Sequence, residues 1–179
     1  KKTDNMKKLF ILFAAALIAC TSCSKFPHEG TATESLAGTW MCTVYYEDGG
    51  EWVYYYEADF STFNTAANLP TEMWVQDGFW SVQCKVDCDA SKATFGTPGK
   101  VYDDIVYGAG VKIFNGKVTP DGTFAPVSGG KCDKIEMYVQ YNDDDPEYGY
   151  TYYIVGYRYT GYPEDDGVYK DDWDLPAIN

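Results

Sequence analysis

The stretch Thr39–Glu47, TWMCTVYYE, decides the fold class. Every second side chain falls on one face, which collects Trp40, Cys42, Val44 and Tyr46. A period of two is that of a β-strand with one buried face. The EDGGE sequence that follows predicts a hairpin turn, so a second strand should return antiparallel to the first.

Strand patterns of this kind recur along the chain. They cover residues 52–60, 79–88, 92–96, 111–119, 134–141 and 150–160. Asn115-Gly116 predicts a hairpin inside the fourth of these segments, and residues 61–73 could hold one helical turn. About eight sequential strands favour a single antiparallel up-and-down β-barrel over residues 37–179, with a β-sandwich as the alternative.

The N-terminal residues predict export and lipid attachment. Lys7 and Lys8 precede the apolar run 9–19, which is shorter than the roughly 20 residues that span a bilayer. The run ends in LIAC, which resembles a bacterial lipobox with Cys20 as its lipidated residue, and CTSCSK offers Cys23 as a second acceptor. An ordinary signal peptide is the remaining alternative.

This pattern assigns residues 1–23 to a signal peptide with a lipobox and residues 24–36 to a polar tether. A lipidated cysteine would hold the exported protein on a membrane. The expected location is the periplasmic face or the cell surface of the outer membrane.

The charge and the cysteines limit the partners and the covalent structure. The formal charge of −13 repels phosphate backbones, so nucleic acid is not an expected partner, and membrane contact is expected from the lipid anchor.

Cys84 and Cys88 lie in one predicted strand with their Cα atoms ~13 Å apart, too far for a disulfide. Free thiols and pairs across strands both remain open for Cys42, Cys84, Cys88 and Cys132.

The two ends of the domain carry the residues of a first resemblance. Gly38-Thr39-Trp40 opens the first strand, and Arg158, the only arginine, lies in the last. This pair resembles the lipocalin and calycin barrels, which implies that Arg158 packs on Trp40 and closes one end beside Gly38.

The chain from residue 23 to 168 also resembles a Bacteroidetes lipoprotein family labelled lipid-binding putative hydrolase. That resemblance rests on the SCSK tether, LAGTW, VKIFNGKV, CDKIEMYV and VGYRYTGYPEDDG. It implies ligand binding in a calycin-like barrel, and none of these motifs is catalytic.

Hydrolytic chemistry finds little support in the residues. The only histidine, His28, lies in the tether, so a Ser-His-Asp or Cys-His site inside the barrel is excluded. Acidic clusters such as 143–145 and 164–166 are typical of solvated turns and do not match an EF-hand loop. We therefore predict no catalytic residue, no metal ion and no cofactor.

The aromatic content provides the functional hypothesis. The chain has 17 tyrosines and five tryptophans. Facing inward, such side chains could line a cavity for a small hydrophobic or amphipathic, lipid-like ligand, or they could simply fill the core. The candidate ligand contacts are Trp40, Tyr46, Trp52, Tyr54, Trp80, Met137 and Tyr153. A glycan-binding surface lipoprotein accessory to polysaccharide capture and a loop-mediated protein-interaction module are the alternatives.

Overall fold

The computed structural model describes residues 30–178, which form nine β-strands and no helix. The strands are β1 (Gly38–Asp48), β2 (Glu51–Asn64), β3 (Glu72–Asp77), β4 (Gln83–Asp89), β5 (Thr94–Phe95), β6 (Tyr102–Asp103), β7 (Gly110–Phe124), β8 (Lys131–Tyr141) and β9 (Tyr152–Arg158). The all-β prediction is confirmed. The helical turn expected within residues 61–73 is wrong, because this segment ends β2, turns and begins β3.

All nine strands belong to one antiparallel sheet that closes into a ring. The order is β5-β4-β3-β2-β1-β9-β8-β7-β6, and β5 also pairs with β7. Neighbouring strands are mostly consecutive in the chain, as an up-and-down topology requires, and β9 returns to β1. Closure removes the long edge strands that would otherwise be open to aggregation. We refer to this closed sheet as the barrel.

Alternation along the strands separates an inner from an outer face. The inner side chains form the main core, which includes Trp40, Cys42, Val44, Phe60, Val75, Ile135, Met137 and Ile154. Leu36, which the sequence places in the tether, is fully buried in this core. The folded domain therefore begins before residue 37.

The register of β2 contains one irregularity that changes the predicted faces. Val44 pairs with Tyr56 but Tyr45 pairs with Tyr54, so Tyr55 is an extra residue in the ladder. Such a bulge shifts all preceding side chains to the other face. The prediction that Trp52 and Tyr54 share the inner face with Ala58 is therefore wrong.

Strand β7 passes through the predicted hairpin at Asn115-Gly116 without turning. Both halves pair with β8, and the register shifts between Phe114 and Lys117. Asn115 has φ 53°, a left-handed conformation that asparagine tolerates in bulges as well as in turns. Gly116 lies against the Phe95 ring, where a Cβ atom would collide. The dipeptide therefore marks a bulge where β5 joins the barrel.

One end of the barrel is closed by Trp40 and Arg158, which pair directly across β1 and β9. The guanidinium carbon of Arg158 lies 4.5 Å from the centroid of the Trp40 ring, so the predicted contact is present. Trp40 Nε1 donates to Thr62 Oγ1 at 2.8 Å. A Cβ atom on Gly38 would come within 2.5 Å of Arg158 Nη1, which explains the glycine at this position.

The segment 159–178 contains no strand and lies against the outer face of the barrel. Thr43 Oγ1 donates to the Lys170 carbonyl at 2.6 Å, and Trp52 Nε1 donates to the Pro176 carbonyl at 2.8 Å. Trp173 packs on two apolar clusters of this face, one around Tyr157 and one around Val155. The outer face that this segment covers is therefore apolar.

Candidate functional site

A cluster of aromatic side chains occupies the end of the barrel opposite to Trp40. We call it the mouth cluster; its members are Tyr46, Tyr55, Tyr56, Phe79, Trp80, Tyr141 and Tyr152. Phe79 is at its centre and contacts five of the other rings at centroid distances of 4.9–6.2 Å. Tyr55 and Tyr56 are about half exposed, whereas Tyr141 is fully buried. The cluster therefore runs from solvent into the core.

The β2 bulge and the β3–β4 loop build this cluster. The bulge turns Tyr55 inward, where its ring meets Phe79 and Tyr152 at 5.5 and 6.1 Å. Tyr54 points outward against Tyr45 instead, so the three consecutive tyrosines do not form one flat row. Phe79 and Trp80 come from the loop that reverses the chain after Asp77.

Asp77 is a buried carboxylate that holds this loop. It is 3% exposed, and its Oδ1 accepts hydrogen bonds from the backbone N–H groups of Phe79 and Trp80 at 2.5 and 3.1 Å. The Tyr141 hydroxyl donates to its other oxygen. Burial raises the pKa of Asp77 to about 6, although these three hydrogen bonds lower it in part.

Two further acids lie at the rim of the mouth cluster. Both oxygens of Asp143 accept from Trp80 Nε1 at 2.8 Å. Asp144 Oδ1 accepts from the Tyr152 hydroxyl at 3.2 Å, while its Oδ2 is buried and has no hydrogen-bond partner among the described residues. Burial raises the pKa of Asp144 above its ordinary value, although the hydrogen bond from Tyr152 lowers it in part. An acceptor without a partner lies next to the aromatic rings.

Below the mouth cluster, the interior is filled. Phe60, Val75, Met137 and their neighbours leave no space that admits a water-sized sphere in the centre of the barrel. This agrees with the expectation that a barrel of about eight strands is just wide enough to be filled by its own side chains. A ligand inside the barrel would have to displace this packing.

A groove of about 350 Å³ runs along the outer wall. Trp74 and the loop residues Val101 and Ile105 provide its apolar lining. Lys85 pairs with Glu72 at 3.4 Å between Nζ and Oε2, and Lys100 pairs with Asp87. Four of the five charged side chains of the groove are thus paired within the protein, and Asp103 is the fifth.

The predicted ligand contacts fall into three places. Tyr46 and Trp80 belong to the mouth cluster. Trp40 and Met137 are fully buried in the core. Trp52, Tyr54 and Tyr153 lie on the outer face, where the rings of Trp52 and Tyr153 pack at a tilt of 41° with their centroids 5.6 Å apart. The inward orientation predicted for Trp52, Tyr54 and Tyr153 is therefore wrong.

Sequence reasoning missed the partners that complete the mouth cluster. The inward orientation of Tyr55 depends on the β2 bulge, and nothing in the sequence Tyr54-Tyr55-Tyr56 indicates a bulge. Asp77 lies 64 residues from Tyr141, so no local pattern connects them. The loop sequence Asp77-Gly78-Phe79-Trp80 was a usable signal, because two large aromatics directly after a turn are rarely solvated.

Metal-ligating groups and thiols bear on the covalent chemistry open to the described residues. Residues 30–178 contain no group of acids, cysteines or histidines placed to hold a metal ion. Within the same range, no helix is long and apolar enough to cross a membrane. Burial raises the pKa of Cys132 to about 11 and that of Cys84 to about 12, so both remain protonated thiols near neutral pH.

The four cysteines of the barrel are all free, which resolves the alternative left open by the sequence. The predicted lipidation sites Cys20 and Cys23 lie outside the described residues.

Comparison with known proteins supports a lipid ligand. The model of a family described as lipid-binding putative hydrolase matches residues 27–163. That range includes all nine strands and the whole mouth cluster, and it ends within the segment 159–178, before the residues of that segment that contact the outer face. No curated protein matches the chain.

Proposed function

The chain belongs to the lipid-binding putative hydrolase family, and from this premise we propose that it is an exported, lipid-anchored protein that binds an amphipathic lipid without hydrolysing it. The mouth cluster is the proposed site. The apolar part of the ligand packs on the exposed rings of Tyr55 and Tyr56 and on the half-buried ring of Phe79. A hydroxyl group of its head donates to Asp144, or a quaternary ammonium group lies against the charge of that carboxylate.

The observation that supports this site is a continuous aromatic surface over a filled interior. Seven rings in mutual contact offer a large apolar area, and burying such area gains ~25 cal/mol per Å². The unpartnered Asp144 Oδ2 beside them supplies the polar contact that would fix the orientation of the ligand. Our expectation of a ligand deep inside the barrel is replaced by binding at its mouth.

Calorimetric titration with lysophosphatidylcholine below its critical micelle concentration tests the proposal. Phe79→Ala should weaken binding about tenfold or more, because Phe79 joins most of the cluster. Tyr54→Ala is the matched control: Tyr54 is equally aromatic and about half exposed, but it lies on the outer face. Equal losses in both variants would place the lipid elsewhere.

Asp144→Asn tests the polar contact separately. The amide oxygen can still accept a hydrogen bond, but the charge is lost. Affinity for the choline lipid should fall about tenfold or more, since contacts to charged groups are worth about 1.5–3 kcal/mol. Affinity for the corresponding fatty alcohol should change little. An unaltered affinity for both ligands would remove Asp144 from the site.

The absence of catalysis is supported by the chemistry of the domain. His28 is the only histidine of the chain and precedes the barrel in sequence. The buried thiols have raised pKa values, and Lys170 lowers that of Cys132 only in part, so neither thiol is activated as a nucleophile. Overnight incubation with the lysolipid should leave the ester intact by mass spectrometry. Release of free fatty acid above a protein-free blank would contradict this part of the proposal.

The lipid anchor rests on the sequence around Cys20 and Cys23. Expression of the full chain in a bacterium with a lipoprotein pathway should give a diacylated N-terminal peptide by mass spectrometry. Cys20→Ser and Cys23→Ser should identify the acceptor, since only one of them abolishes the lipid. A lipid-free N-terminus in the unaltered chain would contradict the anchor and leave the barrel site unaffected.

A further inference from the structure

The loop between β6 and β7 exposes three consecutive apolar side chains. Ile105, Val106 and Tyr107 are 61, 52 and 71% exposed, and we call them the apolar tip. Soluble proteins rarely place such residues together at a solvated turn without a partner. Ala109 and the glycines beside it add no charge, so residues 105–110 are entirely uncharged.

Asp104 holds this loop in a fixed shape. It is 2% exposed, and its carboxylate accepts from the backbone N–H groups of Val106 and Tyr107 at 3.1 and 2.6 Å. It also accepts from Gln83 N–H at 2.7 Å. Burial alone would raise the pKa of Asp104, but these bonds bring it below its ordinary value. The hydrogen bonds to Asp104 therefore fix the backbone conformation of the turn that carries the apolar tip.

The apolar tip lies at the same end of the barrel as the mouth cluster. Ile105 N–H donates to the Gln83 carbonyl at 3.0 Å, and Gln83 begins β4 directly after the loop that carries Phe79 and Trp80. Val101, 45% exposed, extends the apolar surface along the groove beside it. Two other loops at this end are acidic: they carry Asp48 and Glu51 at the β1–β2 turn and Asp143, Asp144 and Asp145 after β8.

We propose that the apolar tip inserts into the surface of a zwitterionic lipid bilayer and brings the mouth cluster against it. Aliphatic side chains suit the boundary of the acyl chains, and tyrosine is favoured at the level of the headgroups. The net charge of −13 disfavours anionic bilayers. This contact rests on the proposed function, and it makes the bilayer the source of the bound lipid. The apolar tip then touches the membrane directly, in addition to the lipid anchor.

Flotation with phosphatidylcholine vesicles tests this inference. The chain from Ser24 onward avoids the anchor, and it retains all nine strands and the three apolar clusters, which lie within residues 31–178. It should float with the vesicles, and the double variant Val106→Ser, Tyr107→Ser should lower the partition coefficient about tenfold or more, since two apolar side chains leave the interface. The variant should keep the melting temperature, because neither side chain is buried.

Phe124→Ser, Val127→Ser is the matched control. Phe124 and Val127 are 55 and 56% exposed, and they lie where β7 ends, at the other end of the barrel. The control should float like the unaltered chain. Equal losses in both variants, or no flotation of the unaltered chain, would overturn the inference. Self-association of the unaltered chain that the tip variant abolishes and the control retains would also overturn it.

Lysophosphatidylcholine titration separates this inference from the proposed function. The tip variant should bind the monomeric lipid like the unaltered chain, because the mouth cluster is intact. Lost flotation with retained lysolipid binding is the expected result. Lost lysolipid binding in the tip variant would show that the tip belongs to the ligand site and would overturn its role as a separate membrane contact.

Discussion

Arg158 joins three parts of the closed end of the barrel. Its guanidinium lies over Trp40, donates to the Ala37 carbonyl, and contacts Asp133 at 2.9 Å through Nε and Nη2. A planar fork is suited to several such partners at once, which a lysine is not. This explains why the only arginine of an acidic chain lies in its last strand.

Arg158→Ala should lower the free energy of unfolding by about 1–3 kcal/mol, because both the cation–π contact and the hydrogen bonds are lost. Arg158→Lys should recover less than half of this. The measurement is urea denaturation, with Lys92→Ala as control: the exposed Lys92–Asp89 pair should contribute little. Unchanged stability with lost lipid binding would make Arg158 a ligand contact.

Asp77 gives the stability of the protein an unusual pH dependence. Its pKa rises from 3.8 to about 6 on folding, so the folded state binds the proton more tightly than the unfolded chain does. The stability gained from this group is full below about pH 4 and is lost as the pH rises through 6. Carboxylates with lowered pKa values, such as Asp87, act in the opposite direction.

Comparison with Asp77→Asn isolates this effect. Relative to the variant, the unaltered protein should lose on the order of 3 kcal/mol of unfolding free energy between pH 4 and pH 7. The measurement is denaturant unfolding at several pH values. Parallel pH profiles of the two proteins would show that Asp77 is not protonated preferentially in the folded state. Cys42, Cys84 and Tyr141, whose pKa values burial and the charge of Asp77 raise, are protonated throughout this range.

At the scale of the elements, the sequence predicts the strands well and their irregularities poorly. Period-two alternation located β1 and β8, and a run of β-branched and aromatic residues between turn signals located β9, both faces of which are apolar. β3 escaped because it is short and follows a turn-rich segment. The bulges in β2 and β7 were not predicted, because an extra residue moves the side chains before it to the opposite face of the sheet without any change in composition. The bulge in β2 places Trp52 and Tyr54 outside, whereas Tyr153 lies outside because both faces of β9 are apolar.

The segment after β9 acts as a cover for an apolar outer face. Trp173→Ala should lower the unfolding free energy by about 2–4 kcal/mol and increase the binding of a hydrophobic dye, because Trp173 joins two outer clusters. Leu175→Ala, at a side chain 37% exposed in the same segment, should have a clearly smaller effect. Equal effects would indicate that the segment adheres without a specific anchor.

At the scale of the whole molecule, the filled interior decides between two ways of binding a lipid. Nine strands could enclose a ligand cavity, yet this chain fills the barrel with Trp40, Phe60, Met137 and their neighbours. The aromatic excess that suggested a cavity is used instead for packing, for the outer cover and for the mouth. Composition alone cannot distinguish these uses, because aromatic residues favour all three.

Met137→Ala tests this distinction. Met137 is fully buried at the centre of the barrel, so its truncation should cost about 2–5 kcal/mol of unfolding free energy and leave a cavity. If the lipid binds at the mouth, its affinity should stay within about twofold of the unaltered value, since no mouth contact is removed. Tighter binding in calorimetry, with Met137→Leu unchanged, would mean that the ligand enters the new cavity and that packing in the interior limits its access. The mouth cluster would then be an entrance and the barrel interior the site.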